Sequence, residues 1–233
     1  MELLGFGDRG WGDELARATL MTLAVAGCAF VLGLVFGSLG AWAKSAGGRG
    51  LDLVVDAYTT VVRGVPELLV IYLLFFGGSG ALMFFARMFG HTGYVEINAF
   101  ATGAVAIAIV NGAYSLEVIR GAVQAVPRGE IEAARAFGMS PWILFRRVLA
   151  PQVLRLALPG LGNVWQLALK ETALISVTGL VEIMRQSTIG AGSTKQPFTF
   201  YAVAAVLYLL LTTVSGAGLR RAERWASRGV RRA

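Results

Sequence analysis

Polar side chains recur at helical spacing inside two otherwise apolar stretches of the sequence. Asn111, Tyr114 and Glu117 follow one another at intervals of three residues, which places them on one face of a helix. A second stripe further along the chain consists of Asn163, Gln166 and Lys170. Amide and ionisable side chains are costly to bury in lipid, so in a membrane protein they mark a pathway for a polar substrate or pair with each other.

Both interpretations of the stripes stay open on the sequence. Glu117 is placed to bind a cationic substrate, and it is equally placed to pair with Arg120 three residues later. Lys170 has Glu171 or Glu117 as candidate partners. The six stripe residues are therefore candidates for a substrate pathway, with mutual pairing as the alternative.

The residue types needed for catalysis or metal binding are scarce. The chain has one histidine, His91, and one cysteine, Cys28, so it has neither a His pair nor a zinc cluster nor an internal disulfide. A phosphate-binding P-loop requires Gly-Lys followed by Ser or Thr, and the sequence contains no Gly-Lys pair. We therefore predict no catalytic residues, no bound metal and no cofactor in this chain.

Composition places the chain in a membrane. Hydrophobic residues make up 56% of the 233 residues and charged residues 15%, whereas about a quarter of a soluble domain is charged. The apolar residues are gathered into several runs that reach the roughly 20 residues needed to cross a bilayer. The N-terminal region is acidic, unlike the basic start of a secretory signal. The fold class is all-α, with several membrane-spanning helices.

We predict five transmembrane helices, at about 16–43, 55–86, 98–122, 153–179 and 198–220. Gly33 and Gly37 in the first form a GxxxG pair, which either lets another helix approach closely or arises by chance in a Gly-rich helix. Pro66 is expected to kink the second helix. Arg63 and Glu67, four residues apart around that kink, are expected to form a structural ion pair near the cytoplasmic end.

The distribution of basic residues predicts the orientation. Of the 21 Lys and Arg residues, 14 fall on the side that holds the 44–50 loop, the 120–155 region and the C-terminal tail, and five fall on the other. Basic residues concentrate in cytoplasmic loops, so the N-terminus is predicted outside and the C-terminus inside. The basic tail at 220–233 suits anionic lipid headgroups, which accounts for the net charge of +7 without nucleic acid.

The polar segment 126–151 is predicted to form a helix, a sharp turn and a second helix. Residues 130–137 are good helix formers, and Gly138 is a typical C-terminal glycine. Ser140-Pro141 then provides a cap and a first-turn proline, and the second amphipathic helix is expected to end before Pro151. The Gly- and Ser-rich stretch 190–195 is expected to be an external loop.

Glu132-Ala133-Ala134, then Gly138, then Val148-Leu149-Ala150-Pro151 is similar to the EAA loop of ABC-importer permeases. Val148 stands where the motif has Ile, and Ala150 stands where it has Leu. Further stretches resemble the polar amino-acid subfamily, with strings typical of its histidine, lysine-arginine-ornithine and opine branch: Tyr58–Pro66, Asn111–Gly121, Ala157–Gln166 and Lys170–Ser176.

The resemblance implies a type I ABC-importer permease fold, with residues 1–233 as one transmembrane domain in a bacterial cytoplasmic (inner) membrane. In the family, the loop corresponding to 126–151 docks on the ATP-binding subunit. The residues implied in that contact are Glu130, Glu132, Ala133, Ala134, Phe137 and Gly138. A pair of ATP-binding subunits would bind ATP and Mg, and a second permease subunit, homologous or identical, and an extracytoplasmic solute-binding protein would complete the assembly.

Three other classes of membrane protein compete with this interpretation. A stand-alone carrier driven by an ion gradient would transport without ATP, but it would leave the 130–150 segment without a partner. A non-transporting scaffold would have little use for polar stripes inside the membrane. A membrane enzyme is disfavoured because no catalytic constellation is present.

Overall fold

The computed structural model describes residues 2–7, 10–89 and 98–227, and these contain helices and no strand. His91 and the end of the basic tail, 228–233, lie outside the described residues. The α-helices are α1 Gly12–Ala46, α2 Arg49–Gly64, α3 Glu67–Tyr72, α4 Gly78–Met88, α5 Ala99–Gln124, α6 Arg128–Ala136, α7 Pro141–Leu144, α8 Ala150–Glu171, α9 Ile183–Thr194 and α10 Pro197–Ala226.

Three of these helices, α1, α5 and α10, are long and apolar enough to cross a membrane by themselves. They contain the predicted spans 16–43, 98–122 and 198–220. The predicted span 153–179 corresponds to most of α8 and the 3-10 helix Thr172–Thr178, but α8 is less apolar than the other three. The all-α membrane fold is confirmed, while five spans and their orientation stay predictions. The first residues of the basic tail predicted at 220–233 are part of α10, because this helix continues to Ala226.

The second predicted span is broken and not simply kinked. Helix α2 ends at Gly64, and the axis turns by 111° before α3 begins at Glu67. Val65 is extended, with φ −100° and ψ 139°, because the ring of Pro66 excludes the helical conformation for the residue before it. Beyond this corner, α3 continues through a π-helical turn, Leu73–Gly77, into α4. The interruption predicted near Pro66 is therefore confirmed, and it turns the chain more sharply than a kink within one helix.

Helix α1 packs closely against α5 through small residues. A Cβ atom added to Gly33 would lie 3.2 Å from the Cβ of Asn111, and one added to Gly37 would lie 2.6 Å from the Cβ of Ser115. Glycine is needed at Gly37 because two backbones approach there more closely than any side chain allows. The GxxxG pair is thus a packing motif.

The stretch expected to be an external loop at 190–195 is mostly helical, as part of α9. The start of α9 is fixed by Glu182, a fully buried residue whose carboxylate accepts hydrogen bonds from the backbone N–H groups of Met184 at 2.8 Å and Arg185 at 2.7 Å. Gly190 lies directly against the ring of Phe200 in α10. Gly190 therefore serves the contact between α9 and α10, whereas nothing lies within 4 Å of a Cβ added to Gly192.

The close approach of α1 and α5 can be tested by adding one methyl group. Gly37→Ala should lower the apparent melting temperature of the purified protein by several degrees, since overpacking a tight contact costs about 1–3 kcal/mol. Gly27→Ala is the matched control in the same helix, because nothing lies within 4 Å of the position its Cβ would occupy. We expect no loss of stability for that variant. Equal melting temperatures for the two variants would contradict the packing described for Gly37.

Candidate functional site

The segment after α5 is built around a left-handed glycine. Gly138 has φ +73°, and its N–H donates to the carbonyl of Arg135 at 2.9 Å, while the N–H of Met139 donates to the carbonyl of Ala134 at 3.1 Å. These two bonds form a Schellman motif, which stops α6 and reverses the chain. The predicted helix and its glycine terminator are confirmed, although the helix occupies 128–136 instead of 130–137.

After Gly138 a second helix begins as the sequence predicts, but it does not end where expected. Ser140 caps α7 by accepting from the N–H of Ile143 at 3.5 Å, and Pro141 occupies the first turn. A π-helical turn, Phe145–Leu149, then leads directly into α8. The expected helix end before Pro151 is wrong, because the π-helical turn carries the chain into α8 and this proline lies in the first turn of α8.

This segment, 128–149, presents apolar side chains outward; we refer to it as the exposed segment. Phe137 is 84% exposed and Trp142 is 67% exposed, and the Trp142 ring stacks on Phe145 with centroids 5.9 Å apart. Ala134 and Leu144 point inward and are buried, so they fix the segment to the bundle. Large exposed aromatic groups indicate a surface that another molecule covers.

The six residues predicted to contact the ATP-binding subunit differ in their exposure. Ala134 alone among them is buried, whereas the others predicted for the contact are exposed: Glu130, Glu132, Ala133, Phe137 and Gly138. The carboxylate of Glu130 accepts a hydrogen bond from the side-chain amide of Gln152 in α8. The exposed segment is therefore linked to α8 both through its backbone and through this side-chain bond.

A buried polar site lies between α5 and α8. The side-chain amide of Asn111, fully buried, donates to Oε2 of Glu171 at 2.5 Å and to the carbonyl of Ile107 at 3.1 Å. Glu171 is only 2% exposed. Its Oε1 atom and the Oδ1 atom of Asn111 are buried without a hydrogen-bond partner, which is unusual because buried polar atoms are nearly always paired. Two acceptor oxygens in this site are therefore left unsatisfied within the described residues.

The corner at Pro66 brings two more charged groups to the same site. The guanidinium of Arg63 lies 5.5 Å from the ring centroid of Tyr114, within the range of a cation–π contact. Glu67, Glu171 and Arg63 all lie close enough to the Tyr114 hydroxyl to interact with it electrostatically. Arg63 and Glu67 do not form the ion pair expected of them, and both face α5 instead.

The other stripe residues are not part of this site. Glu117 pairs with Arg120, with N and O atoms 2.8 Å apart, which is the structural alternative left open by the sequence. Gln166 donates at 3.3 Å to the carbonyl of Thr212 and to the hydroxyl of Ser215, and so joins α8 to α10. Asn163 and Lys170 are exposed, and Lys170 makes no ion pair within the described part of the chain.

Glu171 was missed because the wrong face of α8 was selected. Helix α8 contains a series of buried residues spaced three or four positions apart: Ala157, Leu161, Val164, Ala168 and Glu171. The series ends on Glu171, whereas Lys170 points away. The helical period of the apolar residues would have identified the acid on the inner face. Across residues 2–7, 10–89 and 98–227, no three His, Cys, Asp or Glu side chains converge as a metal site.

Comparison with known proteins relates this arrangement to one family. Residues 30–228 match the family described as binding-protein-dependent transport system inner membrane component. The nopaline transport system permease protein of Agrobacterium fabrum is 59% identical, covering 99% of this chain and 98% of that protein. The octopine transport system permease protein of Rhizobium meliloti is 55% identical, with coverages of 100% and 98%.

More distant relatives agree with these two. The histidine/lysine/arginine/ornithine transport system permease protein of Escherichia coli is 40% identical, over 96% of this chain and 98% of that protein. Among solved structures, a chain of the crystal structure of an amino acid ABC transporter with histidines aligns with a TM-score of 0.78 at 33% identity. That alignment covers 92% of this chain and 94% of the other.

Proposed function

Because the chain belongs to the family of binding-protein-dependent transport system inner membrane components, we propose that it is the permease subunit of an ATP-driven importer for basic amino acids or opines. Relatives at 40–59% identity are named for the transport of nopaline, octopine and the basic amino acids. Full-length similarity to these permeases supports an amino-acid or opine substrate. The membrane would be the cytoplasmic (inner) membrane of a bacterium.

The observation that carries the proposal is the exposed segment held by Gly138. Its outward aromatic groups, Phe137 and Trp142, are the contact expected with a cytoplasmic ATP-binding subunit. Such a subunit is required because this chain has no P-loop of its own. Two copies of that subunit, a second permease that is identical or homologous, and an external solute-binding protein would complete the importer.

Helix α8 supplies the mechanical link in the proposed transport cycle. It follows the exposed segment without interruption and ends at Glu171, 22 residues or about 33 Å away. Closure of the ATPase pair would push α6, and the displacement would reach the buried polar site along α8. The permease would then alternate between outward and inward openings.

The buried polar site is the proposed contact for the cationic part of the substrate. Arginine, lysine and ornithine carry a cationic side-chain group, and octopine and nopaline retain the guanidinium of arginine. The unpaired oxygens of Glu171 and Asn111 are acceptors only, as a guanidinium donor requires. Glu67 adds a second carboxylate nearby. This site replaces four of the six stripe residues as the proposed pathway, namely Glu117, Asn163, Gln166 and Lys170, while Asn111 and Tyr114 stay in it.

The coupling role can be tested at Gly138. Gly138→Val forces a β-branched residue into the left-handed region and should displace the exposed aromatic groups. We expect uptake into proteoliposomes, with the ATPase and binding protein present, to fall at least tenfold, while basal ATP hydrolysis continues.

The matched control for this experiment is Gly129→Val. Gly129 lies in the same exposed segment, with ordinary helical φ and nothing within 4 Å of an added Cβ. This variant should keep most of the uptake. If Gly138→Val transports normally with a fully coupled ATPase, the exposed segment is not the coupling element.

The substrate contact can be tested by removing one charge. Glu171→Gln keeps the size of the side chain and a carbonyl oxygen for the amide of Asn111, but it loses the negative charge. Uptake of arginine should fall about tenfold or more, because a hydrogen bond to a charged partner is worth about 1.5–3 kcal/mol. Glu117→Gln, the same change at a carboxylate paired with Arg120, should retain most of the uptake. Equal losses in both variants would rule out a specific role for Glu171.

A further inference from the structure

A large cavity separates α1 from α8 on the side of the bundle that carries the exposed segment. Its volume is about 1060 Å³, at the upper end of the roughly 300–1,000 Å³ typical of ligand pockets. Residues of α1, α2, α5, the π-helical turn and α8 line it. It is distinct from the buried polar site, since neither Asn111 nor Glu171 contributes to its wall.

The cavity has an apolar inner end and the depth of half a bilayer. Leu34 and Leu161 line it, and one turn further along α1 and α8 the rings of Phe30 and Trp165 meet edge to face at 5.5 Å. Lys44, at the other end of the α1 wall, is ten residues from Leu34, or about 15 Å along the helix. The hydrocarbon core is about 30 Å thick, so this length matches one leaflet.

The rim of the cavity carries charges of both signs. Lys44 pairs with Asp56 across the gap between α1 and α2, and Arg120 pairs with Glu117. Asp52 also lines the rim and has no partner among the described residues. The Nε atom of Arg120 is buried without a hydrogen-bond partner. The carboxylate of Asp52 and the side chain of Arg120, which is 39% exposed beside its pair with Glu117, therefore remain at the mouth of an apolar cavity.

We propose that this cavity binds one phospholipid with an ammonium headgroup, such as phosphatidylethanolamine, from the adjacent leaflet. Its acyl chains would fill the apolar inner end. Its ammonium would donate to Asp52, and its phosphate would accept from Arg120. With Glu117, the partner of Arg120, the ionisable side chains at the rim are two cations, Lys44 and Arg120, and three carboxylates, which disfavours an anionic headgroup relative to one that carries an ammonium.

Such a lipid would also contact the element that leads from the exposed segment into α8. Phe145 and Leu149 of the π-helical turn and Leu154 of α8 line the same cavity. The acyl chains would therefore support α8 near its N-terminal end, where the proposed coupling displacement enters it. Lipid binding itself depends only on the membrane location of the chain and not on the proposed transport cycle.

The test measures which lipids stay with the protein. The intact permease complex is incubated with mixed micelles of detergent and equal amounts of phosphatidylethanolamine, phosphatidylcholine and phosphatidylglycerol, and retained lipids are counted by native mass spectrometry. We expect phosphatidylethanolamine to be retained about tenfold over phosphatidylcholine, whose quaternary ammonium has no N–H to donate to Asp52. Asp52→Asn should reduce this ratio to near one.

A second variant tests the cavity itself. Ser38 lines the α1 wall and is exposed, so Ser38→Phe should fill the cavity without displacing the core and should abolish specific retention. Val206→Phe adds the same ring in a shallow groove on α10 that no ionisable residue lines, and it should retain lipid as before. Equal retention of the three lipids, a preference for phosphatidylglycerol, or undiminished retention in Ser38→Phe would overturn the proposal. None of these measurements requires ATP or transport, so their outcome is separate from that of the uptake experiments.

Discussion

The close contact between α1 and α5 determines where the functional groups of this protein lie. Gly33 and Gly37 bring α1 against the backbone of α5, and this contact leaves no space for water or for larger side chains beside Asn111 and Ser115. In lipid the hydrophobic effect does not drive helices together, so packing at this distance is a main source of their association. Helix α5 is consequently buried along most of its length, and polar groups on its inner face are shielded from lipid.

Two interruptions of the helical backbone orient the remaining elements. One directs helices toward α5, and the other directs side chains toward the membrane surface. The corner at Pro66 turns the chain so that both α2 and α3 face α5, and the hydroxyl of Tyr58 in α2 donates to the carbonyl of Ile109 at 2.5 Å. The turn at Gly138 reverses the chain so that aromatic groups point outward while α8 returns into the bundle. Both depend on local stereochemistry, the proline ring in one case and the missing Cβ in the other.

The features that could be predicted from the sequence were those that depend on neighbours only a few residues away. The terminator Gly138 and the cap Ser140 depend on neighbours three to four positions away, and their geometry followed from residue type alone. The hydrogen-bond partners of Glu171 and Gln166 lie 60 and 49 residues away in the sequence, so composition could place these two residues in a helix but not on the correct face. At Pro66 the residue type predicted an interruption of the helix but not the 111° through which the chain turns.

Two buried glutamates differ in how completely the fold satisfies their oxygen atoms. Glu182 is fully buried, and its oxygens accept from two backbone N–H groups and from the hydroxyl of Tyr208 at 2.9 Å, so its burial is compensated within the fold. Glu171 is equally inaccessible but has one bond, to Asn111, and leaves an oxygen unpaired. An unpaired buried acceptor costs about 1–3 kcal/mol, and packing alone gives no reason to retain it. A ligand that donates to Glu171 would recover this energy, so the unpaired oxygen favours binding of a cation over a purely structural role.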